Sequence, residues 1–233
     1  MSSPFRFKQF AVDQSGAAMK VGTDGVLLGA WCGVENAQDI LDIGTGTGVI
    51  ALMMAQRNSV ARVDAIDIDS GAVECAAANF AASPWAARLK VECKAAQSLD
   101  GASYDLIVSN PPYFTDSLLC PDPKRTVARH ATELTFAELD SAVCRVLNPH
   151  AGRFALILPT EQMEAYLAKS ALNVVRRCDV TSTPTGAVKR VMVELAVRGC
   201  GAVETERLSI YTDTPREYSA EYRELTKEFY LKF

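Results

Sequence analysis

Histidine is almost missing: His130 and His150 are the only two among 233 residues, and they lack ligand spacing. Metal binding is not expected. A basic excess is missing too, since 24 Lys and Arg stand against 28 Asp and Glu for a formal charge of −4. Such a surface offers nucleic acid no general field, so any RNA contact must come from a local patch. The seven cysteines (Cys32, Cys75, Cys93, Cys120, Cys144, Cys178, Cys200) are odd in number and contain no CxxC pair. That argues against a disulfide framework and a zinc site, and the expected compartment is a reducing cytoplasm. The longest apolar runs, such as Val49 to Ala55, fall far short of the ~20 residues that cross a bilayer. Met1-Ser2-Ser3-Pro4 opens no basic-then-apolar signal, so a soluble protein without a membrane partner is expected. No internal repeat, low-complexity tract or linker is present.

What is present is a large apolar fraction, 48%, in a chain that suits one globular unit. Residues 1–233 are read as a single domain: an amino-terminal lid and helix over 1–35, a catalytic core over 36–200, and a carboxyl-terminal strand and helix over 201–233. Phe5 to Val12 mixes aromatic and basic residues before the turn at Asp13-Gln14-Ser15-Gly16, which fits a small hairpin or extended lid. Thr23 or Asp24 can cap a short apolar helix containing Val26, Leu27, Leu28 and Trp31.

From Asp39 the pattern alternates. Ile40 to Ile43, Arg62 to Ile68, Leu89 to Cys93, Tyr104 to Ser109 and Arg153 to Leu158 read as strands. Val49 to Arg57, Ala72 to Ala82, Phe136 to Leu147 and Glu161 to Leu172 read as helices. Alternation of this kind implies right-handed crossovers and a parallel α/β sheet covered on both faces. Val174 to Thr181 and Arg190 to Val197 flank a Pro184-Thr185-Gly186 turn and read as a closing antiparallel pair. Near the end, Thr214-Pro215-Arg216-Glu217 offers an N-cap followed by proline at the first helical position. Tyr218, Tyr222, Leu225 and Phe229 then share one helical face.

Ligands of parallel sheets bind outside the carboxyl ends of the strands. There, Asp42-Ile43-Gly44-Thr45-Gly46-Thr47-Gly48 joins the first strand to the first crossover helix. Its glycines allow unusual dihedrals and a close approach by a ligand. The spacing is GxGxG rather than the GxGxxG of dinucleotide enzymes, and Asp42 at the strand end is placed to meet a cationic amino group. Asp67, closing the second strand ahead of Ile68, can take both ribose hydroxyls. An amino acid joined to a nucleoside answers both needs, and S-adenosylmethionine is such a molecule. After the third strand, Ala95-Ala96-Gln97 stands where an acid often meets the adenine, so backbone groups or Gln97 must serve.

A second stretch carries the chemistry. The strand Tyr104 to Ser109 ends in Asn110-Pro111-Pro112-Tyr113, and a residue before proline is pushed out of the helical region, which leaves the Asn110 carboxamide aimed. An exocyclic or amide nitrogen has a delocalised lone pair and is a poor nucleophile. If the Asn110 oxygen and the Pro111 carbonyl each accept one N–H, that lone pair is turned toward a methyl donor. Tyr113 can stack on the planar group, a contact worth roughly 1–3 kcal/mol for a base.

With Asp42 to Gly48, Asn110-Pro111-Pro112-Tyr113 resembles the class I S-adenosylmethionine-dependent amino-methyltransferases. Within them, Met19-Lys20-Val21-Gly22-Thr23-Asp24-Gly25 with Leu28-Gly29-Ala30-Trp31, and Asn79 with Ser83-Pro84-Trp85, are more specific. Together with Tyr218-Ser219, Tyr222, Leu225-Thr226 and Phe229-Tyr230-Leu231 they resemble the bacterial tRNA (adenine-N6)-methyltransferases that modify valine tRNA beside the anticodon, at position thirty-seven. The resemblance runs nearly end to end. It implies a Rossmann-like fold with a seven-stranded, mostly parallel sheet, a reversed last strand and helices on both faces. It also implies tRNA as partner and a flipped or unstacked adenine as substrate. Lys20, Gly22, Thr23, Asp24, Asp42, Gly44, Gly46, Gly48, Asp67, Ile68, Ala96 and Asn110 are the residues it brings to the cofactor. Asn110, Pro111, Pro112 and Tyr113 are those it brings to catalysis.

Lys124, Arg125, Arg129 and His130 follow the catalytic loop and, with Arg6, Lys8 and Lys20, can form a local phosphate-binding rim. A monomer is the expected working unit. Two other readings stay open on the residues alone. One is methylation of a glutamine amide in a protein, which uses the same Asn-Pro-Pro-Tyr chemistry. The other is a noncatalytic RNA-binding module, which the intact Asn110, Asp42 and Asp67 speak against.

Overall fold

In β3 (Asp39–Ile43) every residue after Asp39 is buried, as in a strand covered on both faces. It is the centre of a computed structural model that describes residues 3–15, 20–111, 134–199 and 201–232. On one side β3 pairs in parallel with β4 (Arg62–Asp67), which pairs with β5 (Leu89–Cys93). On the other it pairs in parallel with β6 (Leu106–Ser109), which pairs with β7 (Arg153–Pro159). The strand β9 (Val188–Ala196) runs antiparallel between β7 and β8 (Asn173–Thr181). These are the seven strands expected, with the last one reversed. An eighth, β10 (Glu204–Ser209), adds to the β8 edge in parallel and supplies the carboxyl-terminal strand.

Helices cover both faces. One layer holds α1 (Thr23–Trp31), α2 (Val49–Arg57) and α3 (Ser70–Ala81), whose Leu27, Leu52 and Met53 cluster with Ile40, Val108 and Ala155 of the sheet. The other holds α4 (Phe136–Val146) and α5 (Thr160–Leu167), whose Leu139, Val143 and Met163 cluster with Leu41, Ile107 and Leu156. Neighbouring residues of one strand enter opposite layers, as the two-residue period of a strand requires.

The amino-terminal hairpin of β1 (Phe5–Arg6) and β2 (Ala11–Val12) packs on the carboxyl-terminal segment. Phe7 and Phe10 are buried there, and the Lys8 N–H donates to the Phe229 carbonyl at 2.8 Å. The last helix begins later than Thr214-Pro215 foretells. Arg216 adopts a left-handed φ of 66°, and the Thr212 N–H donates to the Glu217 carbonyl at 2.8 Å, so these residues form a turn. A left-handed residue cannot propagate a right-handed helix. Ser219 becomes the N-cap of α6 (Ala220–Thr226) by accepting from the Tyr222 N–H, and Tyr222 and Phe229 are buried. Among the described residues no helix is long and apolar enough to cross a membrane.

Candidate active site

Strand order reverses at β3: one neighbour is β4 and the other is β6, reached only after β5. A crevice opens at the carboxyl ends of strands at such a switch point. Here it is a cavity of about 380 Å³, within the about 300–1,000 Å³ usual for small-molecule sites.

The glycine turn forms one wall. Gly44, Gly46 and Gly48 all have left-handed φ values, 73°, 56° and 80°. The Gly44 and Thr45 N–H groups both donate to the Ile66 carbonyl, at 2.9 and 3.1 Å, which leans the turn against β4. A side chain on Gly44 or Gly46 would meet nothing within 4 Å, whereas one on Gly48 would collide with Phe80 of α3 at 2.5 Å. The first two glycines keep space open, and the third allows helix packing.

Two carboxylates brace this turn from different sides. Asp67 Oδ2 accepts from the Gly46 N–H at 2.9 Å and Oδ1 from the Asp69 N–H at 3.0 Å. A carboxylate offers about four acceptor positions, so about two remain for a ligand. Asp42 is fully buried, and its Oδ2 accepts from the Thr45 hydroxyl at 2.7 Å and the Ala51 N–H at 3.2 Å. Its Oδ1 is buried with no partner. Burial pushes the Asp42 carboxyl up to about 7, against those two bonds, and the nearby Asp67 charge adds to the rise.

At the opposite wall, Ser109 at the end of β6 donates its hydroxyl to the Ile43 carbonyl at 2.9 Å, tying β6 to β3. Asn110 and Pro111 follow and line the cavity. A Cβ on Gly25 of α1 would lie 3.7 Å from Asn110 Nδ2, so the first turn of α1 faces the carboxamide across the width of one methyl group.

Lys20, Gly22, Gly44, Gly46, Asp67, Ile68, Ala96, Asn110 and Pro111 therefore meet around one cavity. Four residues expected at the cofactor do not line it. Asp42 turns back beneath the glycine turn, and Gly48 is committed to packing on Phe80. Asp24 accepts from Arg190 Nε at 2.8 Å, and Thr23 precedes it in the first turn of α1. Pro112, Tyr113, Lys124, Arg125, Arg129 and His130 lie outside the described residues. Gln97 lines the cavity, but its carboxamide bonds the Glu138 carboxylate, which with stronger bonds from Thr135 holds Glu138 below the usual range.

Lys94 and Leu134 line the cavity although no motif marked them. Leu134 had a local signal, because Thr135 and Glu138 form the capping box that starts α4 just after it. Among the described residues, no group of three or more His, Cys, Asp and Glu side chains could hold a metal ion.

Residues 20–134 match the family model of the methyltransferase small domain. Among solved structures, a predicted O-methyltransferase from Agrobacterium tumefaciens superposes with a TM-score of 0.69 at 16% identity, over 88% of this chain and 96% of that one. The ribosomal protein L11 methylase of Lactobacillus delbrueckii superposes with a TM-score of 0.55 at 17% identity, covering 81% and 84%. At such identities the likeness is one of fold. The curated relatives are far more similar. The tRNA1(Val) (adenine(37)-N6)-methyltransferase of Parabacteroides distasonis is 45% identical, over 100% of both chains. Its namesake from Pseudoalteromonas translucida is 41% identical, over 99% of both. On that end-to-end identity, this chain belongs to the tRNA1(Val) (adenine(37)-N6)-methyltransferase family.

Proposed function

We propose that the protein transfers a methyl group from S-adenosylmethionine to the exocyclic N6 of an adenine in tRNA, adenine 37 beside the anticodon of valine tRNA. The observation that carries this reading is the meeting of Asn110 and Pro111 with the glycine turn and Asp67 around one cavity. The residues suit the cofactor. Gly44 and Gly46 leave open space where a side chain would project, and Asp67 keeps acceptor capacity for ribose hydroxyls. Ile43, Ile66, Ile68 and Ala96 offer an apolar surface to a purine ring. When bound, the cofactor supplies an electrophilic methyl group.

Asn110 Oδ1 and the Pro111 carbonyl accept the two N–H groups of the adenine amine. This draws the nitrogen toward a tetrahedral shape with its lone pair facing the methyl donor. Pro111 suits its part because its ring fixes the main chain and brings no competing donor. Asp42, with no place on the cavity wall, acts by holding Thr45 and the turn rather than by touching the ligand. For Pro112, Tyr113, Lys124, Arg125, Arg129 and His130 the proposal rests on residue type. Pro112 stiffens the loop, Tyr113 stacks on the base, and the four basic residues contact phosphates.

A protein glutamine as acceptor is not favoured, because the full-length relatives carry names of tRNA enzymes. The described cysteines are free thiols, which supports a cytoplasmic location, and we propose that the enzyme works as a monomer on tRNA. The test is methyl transfer from labelled cofactor to total tRNA lacking this modification, followed by nucleoside analysis. Label in N6-methyladenosine is the expected result; label in protein, or none, would refute the proposal.

A further inference from the structure

Asn110 has to present its carboxamide at a set angle, yet among the described residues no hydrogen bond orients it. The first turn of α1 faces it, for a Cβ added to Gly25 would lie 3.7 Å from Asn110 Nδ2. That turn is not fixed by a side-chain cap, for Gly22 is the N-cap and supplies none. Asp24 adds a polar tie to the sheet beside the apolar packing of α1: its Oδ2 accepts from Arg190 Nε at 2.8 Å, with 20% and 30% of the two side chains exposed. Arg190 stands near the start of β9, paired with Pro159 at the end of β7. An aspartate in a first turn also lies at the favourable end of the helix dipole.

We infer that the Asp24–Arg190 ion pair is a positioning device for methyl transfer: it clamps the first turn of α1 to the carboxyl edge of the sheet and so sets the wall that holds Asn110. The inference rests on the proposed role of Asn110. A partly exposed ion pair adds little to global stability. Registration of a reacting group is far more sensitive, since a misplacement of about 1 Å can cost about 100-fold in rate.

The test compares wild type with Asp24→Asn, Arg190→Gln, the double variant and Arg190→Lys. Each is assayed for transfer to unmodified tRNA, for cofactor Kd by calorimetry and for thermal midpoint. The Asn110 side-chain amide signal, identified with Asn110→Ala, is followed in nitrogen-15 spectra. That signal reports orientation whatever the substrate, so an inactive wild type would sink the functional reading while the spectra still decide this one.

The expected result is a kcat at least about tenfold lower in each single variant, with cofactor Kd held within about twofold, and a shifted or broadened Asn110 signal. The double variant should lose less than the two single losses combined, because the two side chains share this contact. Arg190→Lys, which keeps the charge within reach of Asp24, should recover part of the loss. An unchanged Asn110 signal overturns the inference. So does activity that falls only in step with thermal midpoint, or a lysine variant no better than the glutamine one.

Discussion

Asn79 grips Asp13 by two hydrogen bonds that run in opposite directions. Its Oδ1 accepts from the Asp13 N–H at 2.8 Å, and its Nδ2 donates to the Asp13 carbonyl at 2.9 Å. The same amide nitrogen donates to the Thr47 carbonyl in the glycine turn, also at 2.9 Å. One buried carboxamide thus joins the amino-terminal segment at Asp13 to the glycine turn of the cavity wall. In Asn79→Asp the shape is kept, but an acceptor faces both carbonyls. Leaving a buried polar group unsatisfied costs about 1–3 kcal/mol. Denaturant melts should therefore show a loss of that order, larger at pH 8, where the new carboxyl is ionised, than at pH 5. Equal stability at pH 8 would mean that the grip contributes nothing.

Burial raises the Asp42 carboxyl from 3.8 to about 7, so the folded protein keeps a proton that the unfolded chain releases. Stability from this group is fully present below the unfolded value and is lost as pH rises through the folded one. For the cofactor-free protein, the wild-type melting temperature should fall relative to that of Asp42→Asn between pH 5 and pH 8. Asparagine has no proton to lose and gives the flat reference. A difference between the two that stays constant with pH would show that Asp42 is not desolvated in this way.

The strands were legible because burial on both faces makes Ile40, Leu41, Ile43 and Leu106 to Val108 apolar, and the strain-tolerant glycines of 44 to 48 marked the turn from β3 into α2. The position of Asp42 at a strand end was legible; the direction of its carboxylate was not, because Thr45 and Ala51 capture it from behind. Asp24 was placed at the cofactor by the family resemblance, and the fold pairs it elsewhere. Its partner, Arg190, lies 166 positions away, and nothing local in the sequence pairs them. Lys94 reaches the cavity through the order of the strands rather than through any motif. The start of α6 depended on one backbone angle at Arg216, and a favourable Thr-Pro signal could not foretell it.

The glycine turn allows a paired prediction. Gly48→Ala combines a left-handed φ, roughly 1–2 kcal/mol for a side chain, with a collision against Phe80. Overpacking adds typically about 1–3 kcal/mol. Its cost should appear as lost stability. Gly46→Ala carries the strain without the collision and projects a methyl group into the open space beside Asp67. Its larger effect should be on cofactor affinity, measured by calorimetry. If Gly48→Ala melts like the wild type, the packing of α2 on α3 is looser than the contact at Phe80 implies.

Asn110 separates binding from chemistry. Asn110→Ala removes the acceptor for one N–H of the target amine and leaves the glycine turn and Asp67, on the far wall, as they are. Loss of one positioned hydrogen-bonding group at a reacting centre typically costs about 10²–10³ in kcat. Single-turnover transfer should fall by that order while cofactor Kd stays near the wild-type value. Asn110→Asp tests the reason for the loss, because a carboxylate still accepts the N–H and its charge favours the cationic amine that forms as the methyl arrives. It should therefore retain more activity than alanine. If alanine and aspartate variants are equally slow, the side chain acts through its N–H donors or its shape, and acceptance of the adenine N–H cannot be its part in the reaction.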